Sequence, residues 1–267
     1  EGPYLKNGQI LEKGSHSPYI QSARLASYRQ AAEELVANGK AYPCFCDSQR
    51  LTAIRSAQTA AHLPPMYDRE CRGIAPELAN ERRIRGEAHV IRLAVPAARK
   101  ISFQDAVRGL IIFDSDTVDD QVLIKSDGFP TYHLANVVDD HEMEISQVIR
   151  GEEWLSSTPK HLILYEAFGW TAPTFAHLAL LLNPDHSKLS KRQGDVAVLD
   201  YARAGYLPEA VVNFIALLGW NPSDSQEIYS LEELISKFDL AKVGVSGSVF
   251  NREKLDWLNG QYLRKLP

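Results

Sequence analysis

The run Lys188-Leu189-Ser190-Lys191-Arg192 puts three cations and a small hydroxyl into five residues. It follows a wholly apolar stretch, Leu178 to Leu182, and a turn built on Asn183-Pro184-Asp185. A buried strand that opens into an exposed cationic loop suits the grip of a polyphosphate. Lysine ammoniums there are mobile point charges, able to follow negative charge as it builds on a reacting phosphate. A solvated basic loop is written with the same residues, so these five positions do not decide between the two. A second cluster, Asp139-Asp140-His141-Glu142, has the residue types of a metal hydrolase. Neighbours on a helix point in different directions and do not converge on one ion, so these side chains are expected to pin a helix to its surroundings.

Positioning such a loop takes strands and helices, and the periodicity of the chain predicts both. Ser22 to Asn38 reads as an amphipathic helix, with Leu25, Tyr28, Ala32, Leu35 and Val36 on one face and Gly39 closing it. Lys40 to Cys46 is short, aromatic and extended. Asp47 caps a second helix through about His62, ended by Pro64-Pro65, and Pro76 to Arg85 is a third. Alternation then predicts strands at Val90 to Val95, Gly109 to Phe113 and Gln121 to Lys125. A helix over Phe129 to Asp140, a strand over Ile145 to Arg150, a helix from Thr158-Pro159 to Phe168-Gly169 and a buried strand over Phe175 to Leu182 follow. That alternation is the habit of parallel α/β layers. From Asp200 onward the pattern is helical. Ser230-Leu231-Glu232-Glu233 is a capping box, and Asn251 caps a last helix bearing Leu255, Leu258 and Tyr262.

At 267 residues, 45% hydrophobic, 24% charged and 9% aromatic, the composition is that of a globular protein with room for more than one domain. These residues hold no apolar run of bilayer length, and no secretory leader is expected from them. Three cysteines do not suggest a disulfide framework and point to a reducing compartment. The net charge is −5, yet residues 43–100 hold ten basic and six acidic side chains. A locally basic module on an acidic body is compatible with contact to phosphates, because that contact follows the local field.

Two further segments turn the lysine loop from a lone motif into one of three. Lys125-Ser126-Asp127-Gly128-Phe129-Pro130-Thr131-Tyr132-His133-Leu134-Ala135-Asn136-Val137-Val138-Asp139-Asp140-His141 resembles glutamyl-tRNA synthetases, which are class I aminoacyl-tRNA synthetases. So does Val148-Ile149-Arg150-Gly151-Glu152-Glu153-Trp154-Leu155-Ser156-Ser157-Thr158-Pro159. The lysine loop is similar to that family's ATP loop, with Leu189 where relatives often have methionine. The three lie in family order within about seventy residues, and Gly2-Pro3 and Tyr19-Ile20-Gln21-Ser22 extend the likeness toward the start.

The resemblance implies an α/β fold. A Rossmann-like nucleotide fold of class I type, its N-terminal part missing, would be interrupted by an α+β acceptor-binding insertion and followed by a helical stem-contact module. Residues 1–42 would be a remnant of the first half of the catalytic domain and 43–127 the insertion. Residues 128–194 would be the second half with the lysine loop, and 195–267 the stem-contact module.

The resemblance also implies a reaction. ATP, accompanied by Mg²⁺, activates L-glutamate to glutamyl-adenylate, and the acyl group passes to the terminal adenosine of tRNA(Glu). Glutamate carries two carboxylates and an ammonium, so its pocket needs a guanidinium and neutral hydrogen-bonding groups. Arg150, at a strand end, can take a carboxylate bidentately, which a lysine does not copy. Tyr132 and Asn136 lie four apart on one helix and face the same ligand, and family position adds Trp154. Lys191 is expected to meet the charge that grows on the α-phosphate and the departing pyrophosphate. Lys188 and Arg192 position the triphosphate, and Leu189 and Ser190 complete the loop, Ser190 orienting its backbone. Arg150 and Lys191 are expected to share one cavity. No carboxylate is assigned to magnesium.

Cys44-Phe45-Cys46 is a Cys-x-Cys pair, with Tyr67 and Cys71 21 and 25 residues beyond Cys46. Some relatives hold a structural zinc in this insertion with such a pair, a downstream cysteine and a His or Tyr. Gly73 occupies the place the histidine form needs, which leaves the tyrosine form on Cys44, Cys46, Tyr67 and Cys71. Three small, partly buried thiols are the other reading.

The family's His-x-Gly-His element and its anticodon-binding region are not found in these residues, so the chain reads as an internal fragment, incomplete for catalysis by itself. A glutaminyl-tRNA synthetase fits Arg150 and the Tyr132–His141 run less well, and a glutamyl-queuosine-type paralogue fits neither the intact lysine loop nor the helical C-terminal module. The alternative of another class is a non-catalytic tRNA-binding derivative that has lost the first ATP motif. Gln193-Gly194-Asp195-Val196, with Pro43-Cys44-Phe45-Cys46, resembles organellar members. The mitochondrial matrix is therefore the expected location and the bacterial cytoplasm the alternative, for a monomer without membrane contact.

Overall fold

The computed structural model describes residues 2–189, 197–220, 222 and 225–266. The chain divides into two compact units, one of residues 1–102, 112–146 and 157–173, the other of residues 103–111, 147–156 and 174–267.

The first unit opens with an antiparallel hairpin of β1 (Gly2–Lys6) and β2 (Gln9–Lys13), Leu5 opposite Ile10. Sequence periodicity does not reveal this hairpin. Tyr4, Leu5, Ile10 and Leu11 all stay exposed, so no buried face imposes a period of two. Helix α1 (Leu25–Ala37) buries Tyr28, Ala31, Ala32 and Leu35, three or four residues apart as a one-sided helix requires. Strands β3 (Ala41–Cys44), β4 (Val90–Leu93) and β7 (Val122–Ile124) form an antiparallel sheet in that order. Between β3 and β4 run α2 (Ser48–Ala60) and α3 (Pro76–Ile84), and Asp47 Oδ1 caps α2 by accepting from the Arg50 amide at 2.7 Å. Helices α4 (Tyr132–Glu142) and α5 (Thr158–Phe168) complete the unit, and α4 packs on α1, α5 and β7. Gly169 ends α5 with φ 71°, a left-handed turn that a side chain would strain.

Buried charge fastens α1 to α4. Arg24 is 5% exposed; its Nε donates to Asp139 Oδ1 at 2.7 Å, and Nη2 reaches Glu142. The Tyr28 hydroxyl (2.8 Å) and the Gln21 amide (3.1 Å) donate to the same Asp139 carboxylate. Burial, then the hydrogen bond to Asp139, pushes the Tyr28 phenol well above its ordinary range. His141 stacks on Trp170 with ring centroids 3.8 Å apart. The Asp139–Glu142 run thus spreads around the helix and pins it.

The second unit holds Phe103–Asp105 of β5 (Lys100–Asp105), Gly109–Ile111 of β6 (Gly109–Asp114), β8 (Gln147–Gly151) and β9 (Thr174–Leu178), strands of a sheet of order β6-β5-β9-β8. β9 runs parallel to both β5 and β8, with Asp105 opposite Phe175 and Arg150 opposite His177. β5 escapes the sequence pattern because one of its inward positions is Asp105, a carboxylate where alternation asks for an apolar residue. The single buried strand expected over Phe175 to Leu182 is two. β9 stops at Leu178, and β10 (Leu181–Leu182) pairs in parallel with β11 (Ser248–Val249). An apolar run carries no mark of where one sheet ends and another begins.

Helices α6 (Val198–Arg203), α7 (Pro208–Gly219), α8 (Leu231–Lys237) and α9 (Arg252–Leu263) follow the lysine loop. Phe214 of α7 packs with Leu255 and Leu258 of α9, flanked by Tyr201, Tyr206 and Phe250. The Ser230–Glu233 capping box and the Asn251 cap are both formed. Among the described residues no helix is long and apolar enough to cross a membrane.

Replacing Asp139 by Leu takes from buried Arg24 its buried carboxylate, leaving half-exposed Glu142 as its charge partner, and removes the acceptor of Tyr28 and Gln21. The expected loss is about 3–5 kcal/mol of unfolding free energy, read from urea denaturation. The double variant Arg24→Met/Asp139→Leu should lose less than Asp139→Leu alone, because no buried guanidinium remains and the released Glu142 carboxylate is half-exposed to water.

Candidate active-site and metal-binding residues

After β10 the chain turns back on itself. The Asn183 amide donates to Ser187 O at 2.8 Å, Leu182 bridges to Lys188, and the Leu189 amide donates to Leu181 O at 2.9 Å. Asp185 accepts from the Ser187 hydroxyl and amide, and these bonds hold its carboxyl below the usual range. The Lys188 ammonium therefore stands beside β10, 3.3 Å from Glu153 Oε1. Both partners are half-exposed, so water screens the pair. Ser190, Lys191 and Arg192 lie outside the described residues, and so does the expected meeting of Arg150 with Lys191.

Arg150, near the end of β8, is held from its own sheet. Its Nε donates to His177 Nε2 at 3.0 Å, and its guanidinium carbon lies 5.4 Å from the Phe175 ring centroid. The other imidazole nitrogen, Nδ1, is 2.6 Å from Asp105 Oδ2, and both side chains are sealed from solvent. Asp105 Oδ1 accepts from the backbone amides of Val107, Arg108 and His177 at 3.0, 2.9 and 3.3 Å. Burial pushes the Asp105 carboxyl up, but the His177 and backbone hydrogen bonds outweigh it and hold the group below its ordinary range. Burial drives the His177 imidazole down, only partly offset by Asp105. Arg108 donates from Nε to His177 O at 3.1 Å and pairs with Glu152, whose other oxygen accepts from the Leu180 amide at 3.2 Å. Trp154 sits half-buried in the 3-10 turn of residues Glu152–Ser157.

Asp105, His177, Arg108 and Glu152 were not singled out from the sequence. The usable signal was His177, the one ionisable residue in the apolar run Phe175 to Leu182. A buried polar group of that kind requires a partner.

Tyr132 and Asn136 belong to α4 in the first unit. Tyr132 is exposed, with its ring edge-on to His133 and His161, and His133 Nδ1 lies 3.0 Å from His161 Nε2. The Asn136 Oδ1 atom is buried and has no hydrogen-bond partner among the described residues. An unmet acceptor of this kind costs about 1–3 kcal/mol, which a ligand donor reaching it would recover.

The fold also gathers Cys44, Cys46, Tyr67 and Cys71. The three Sγ atoms lie within 4.8 Å of one another, Cys46 and Cys71 being 3.5 Å apart. The Tyr67 hydroxyl is 3.3 Å from Cys44 Sγ and 3.4 Å from Cys46 Sγ, and accepts from the Cys71 amide at 3.0 Å. Zinc bound at about 2.3 Å to each thiolate spaces tetrahedral ligands about 3.8 Å apart, so the donor set has the size of a zinc site. Burial pushes the Cys46 thiol up to about 11. Burial also raises Cys44, yet hydrogen bonds with Tyr67, the Cys46 backbone and Arg92 outweigh it and hold that thiol below its ordinary range. Burial and the surrounding thiols push the Tyr67 phenol far up, and the guanidinium of buried Arg92 covers its ring at 4.0 Å. Among the described residues these cysteines are the one group of three or more such donors close enough to share an ion.

Mixed α/β architecture with the parallel strands β5, β9 and β8 is that of a class I synthetase catalytic domain. Residues 5–257 match the family described as tRNA synthetases class I (E and Q), catalytic domain, and the chain belongs to that family. It is 52% identical over 265 residues to a glutamate–tRNA ligase of Alkaliphilus metalliredigens (strain QYMF), across 99% of this chain and 54% of the relative. It is 56% identical over 259 residues to a glutamate–tRNA ligase of Chlorobium chlorochromatii (strain CaD3), across 94% and 52%. The crystal structure of a glutamate–tRNA synthetase from Elizabethkingia anophelis matches with a TM-score of 0.86 at 41% identity, over 95% of this chain and 56% of that one. The chain spans about half the length of the curated relatives it matches. These relatives are bacterial, and nothing in them supports the expected mitochondrial resemblance. The eight residues it rested on, Pro43–Cys46 and Gln193–Val196, carry no compartment address, which resides in separate targeting segments.

The depressed His177 pKa makes stability depend on pH with a definite sign. Between the folded value and the unfolded value of about 6.5, the unfolded chain holds a proton that the folded chain does not. Stability therefore falls as pH drops through that window. His177→Gln should flatten the decline in urea midpoint below about pH 6.5, measured against the parent chain.

Proposed function

We propose that the protein is a glutamate–tRNA ligase of bacterial-type translation, working in a bacterial cytoplasm. It uses ATP with Mg²⁺ to activate L-glutamate as the adenylate and passes the acyl group to the 3′ end of tRNA(Glu). The observation that carries the reading is the family match over residues 5–257, and relatives 52% and 56% identical bear that name.

The chemistry assigns the roles. Attack of the glutamate α-carboxylate on the α-phosphate expels pyrophosphate, so charge gathers on the leaving oxygens. Lys191 supplies a cation whose attraction is strongest at that point, which lowers the barrier. Lys188, Leu189, Ser190 and Arg192 hold the triphosphate beside it. Arg150 takes a substrate carboxylate, and Tyr132, Asn136 and Trp154 serve glutamate on the strength of their matched motifs. Asn136 adds a buried acceptor without a donor among the described residues. Residues 43–127, whose basic surplus lies within residues 43–100, contact the acceptor end of the tRNA, and residues 195–267 its stem. Residues 1–42 and 128–194 form the parts of the nucleotide fold. A structural zinc on Cys44, Cys46, Tyr67 and Cys71 stiffens the insertion, and soft thiolate donors at suitable spacing support it.

The deciding experiment is glutamate-dependent ATP–pyrophosphate exchange with tRNA present, on the protein as its own gene encodes it. Lys191→Ala should lower exchange by about 100-fold or more with the circular dichroism unchanged. Full exchange in that variant would remove Lys191 from its role, and a parent indifferent to glutamate would end the ligase reading. Arg150→Ala should raise the glutamate KM and leave the ATP KM nearly unmoved.

For the metal, atomic emission should find one zinc per chain and none in Cys71→Ser. A parent free of zinc after purification without chelators would leave three partly buried thiols and no metal site.

A further inference from the structure

We propose that His177, anchored by Asp105, is a positioning residue for Arg150, a buried neutral acceptor that sets the plane in which the guanidinium meets a substrate carboxylate. The inference rests on the reading of Arg150 as a group that touches glutamate.

The tautomer of His177 is set from both ends. A guanidinium has donors and no acceptor, so the 3.0 Å contact from Arg150 Nε requires a lone pair on His177 Nε2. The ring proton then sits on Nδ1, where Asp105 Oδ2 accepts it at 2.6 Å. Asp105 is kept from rotating, because its other oxygen already accepts three backbone amides. A protonated imidazole would set N–H against N–H and one cation against another, and burial opposes that form.

The strands put the three residues in line. Asp105 is on β5, His177 on β9 and Arg150 on β8, with Arg150 and His177 in direct register and so on the same face of the sheet. Phe175, two residues before His177 on that face, lies 5.4 Å from the guanidinium carbon. The arginine is thus held by an acceptor at its inner edge and by a ring at its side.

The consequence for recognition is geometric. A carboxylate can meet a guanidinium side-on, through Nε and one terminal nitrogen, or end-on, through both terminal nitrogens. His177 occupies Nε, so the side-on mode is blocked and a substrate carboxylate has to approach from the terminal nitrogens. Without this bond Nε would be open to the side-on mode, and the guanidinium would lose one of the contacts that fix the plane a rigid pocket needs.

Two measurements test the role. Nitrogen-15 spectra of histidine-labelled 267-residue chain at neutral pH should show His177, assigned by its loss in His177→Gln, protonated at Nδ1 and bare at Nε2. Protonation at Nε2 would overturn the proposal whatever the activity. In exchange assays on the protein as its own gene encodes it, His177→Leu should raise the glutamate KM about 10- to 100-fold while the ATP KM moves by less than about twofold. His177→Gln, whose Oε1 replaces the lost acceptor, should stay within about fivefold of the parent. Should the Leu variant not fold, His177→Asn takes its place, since its amide keeps the Asp105 bond without reaching Arg150. Equal impairment of the Gln and Leu variants, or no impairment of Leu beside a damaged Arg150→Ala, would overturn the positioning role. An Arg150→Ala variant with an unchanged glutamate KM would instead refute the reading of Arg150 itself, and the proposal with it.

Discussion

A carboxylate shut away from water has to be answered from inside the protein, and Asp105 is answered four times. Three backbone amides meet one oxygen and the His177 ring meets the other. These bonds join the end of β5 to the turn before β6 and to β9, and His177 carries the constraint to Arg150 on β8. Apolar packing tolerates sliding between strands far better than this network does, because every bond in it has one length and one direction. The least apolar inward position of the sheet is therefore the one that holds the rest in register. Removing either end would leave a buried group unmet, a larger cost than the bond's own net worth.

The first unit obeys the same rule with other residues. Asp139 takes its bonds from Arg24, Tyr28 and Gln21 and so joins α1 to α4. Asp120, also sealed from solvent, accepts from the Tyr42 hydroxyl at 2.7 Å and the Val95 amide at 3.2 Å, with Arg69 and Arg72 at 3.2 and 3.5 Å. The two carboxylates nevertheless shift in opposite directions. Burial prevails at Asp120 and pushes its carboxyl up, whereas the His177 and amide bonds prevail at Asp105. Deeper burial with half-exposed arginines as partners compensates a charge less completely than an imidazole and three amides in direct contact. Near Asp120 the cysteine group has its own counter-charge in Arg92, whose carbon skeleton lies on strand β4 and whose guanidinium covers Tyr67.

What was legible in the sequence were interactions whose partners lie close along the chain. Asp47, Ser230 with Glu233, and Asn251 each cap a helix through an amide three residues on, and all three are read from spacing alone. The cysteines and Tyr67 likewise announce themselves through a Cys-x-Cys pair and a fixed downstream interval. The family's motifs were legible for a related reason, since each is a short continuous string. Illegible were the β1–β2 hairpin, which buries no face, and β5, whose inward carboxylate breaks the alternation. The break of the Phe175–Leu182 run into β9 and β10 was equally hidden, because both pieces are apolar.

The sequence by itself determined that α1 to α5 and α9 exist, though with bounds a few residues off, as at α4 (Phe129–Asp140 expected, Tyr132–Glu142 found), together with the α/β class, the family and the candidates Arg150, Tyr132, Asn136 and Lys188. Only the tertiary structure decided how those candidates are held. His177 and Asp105 are 72 residues apart, and Arg24 and Asp139 are 115 apart. Such contacts leave no period or spacing in the chain, because they come into being only when separate strands and helices are folded side by side.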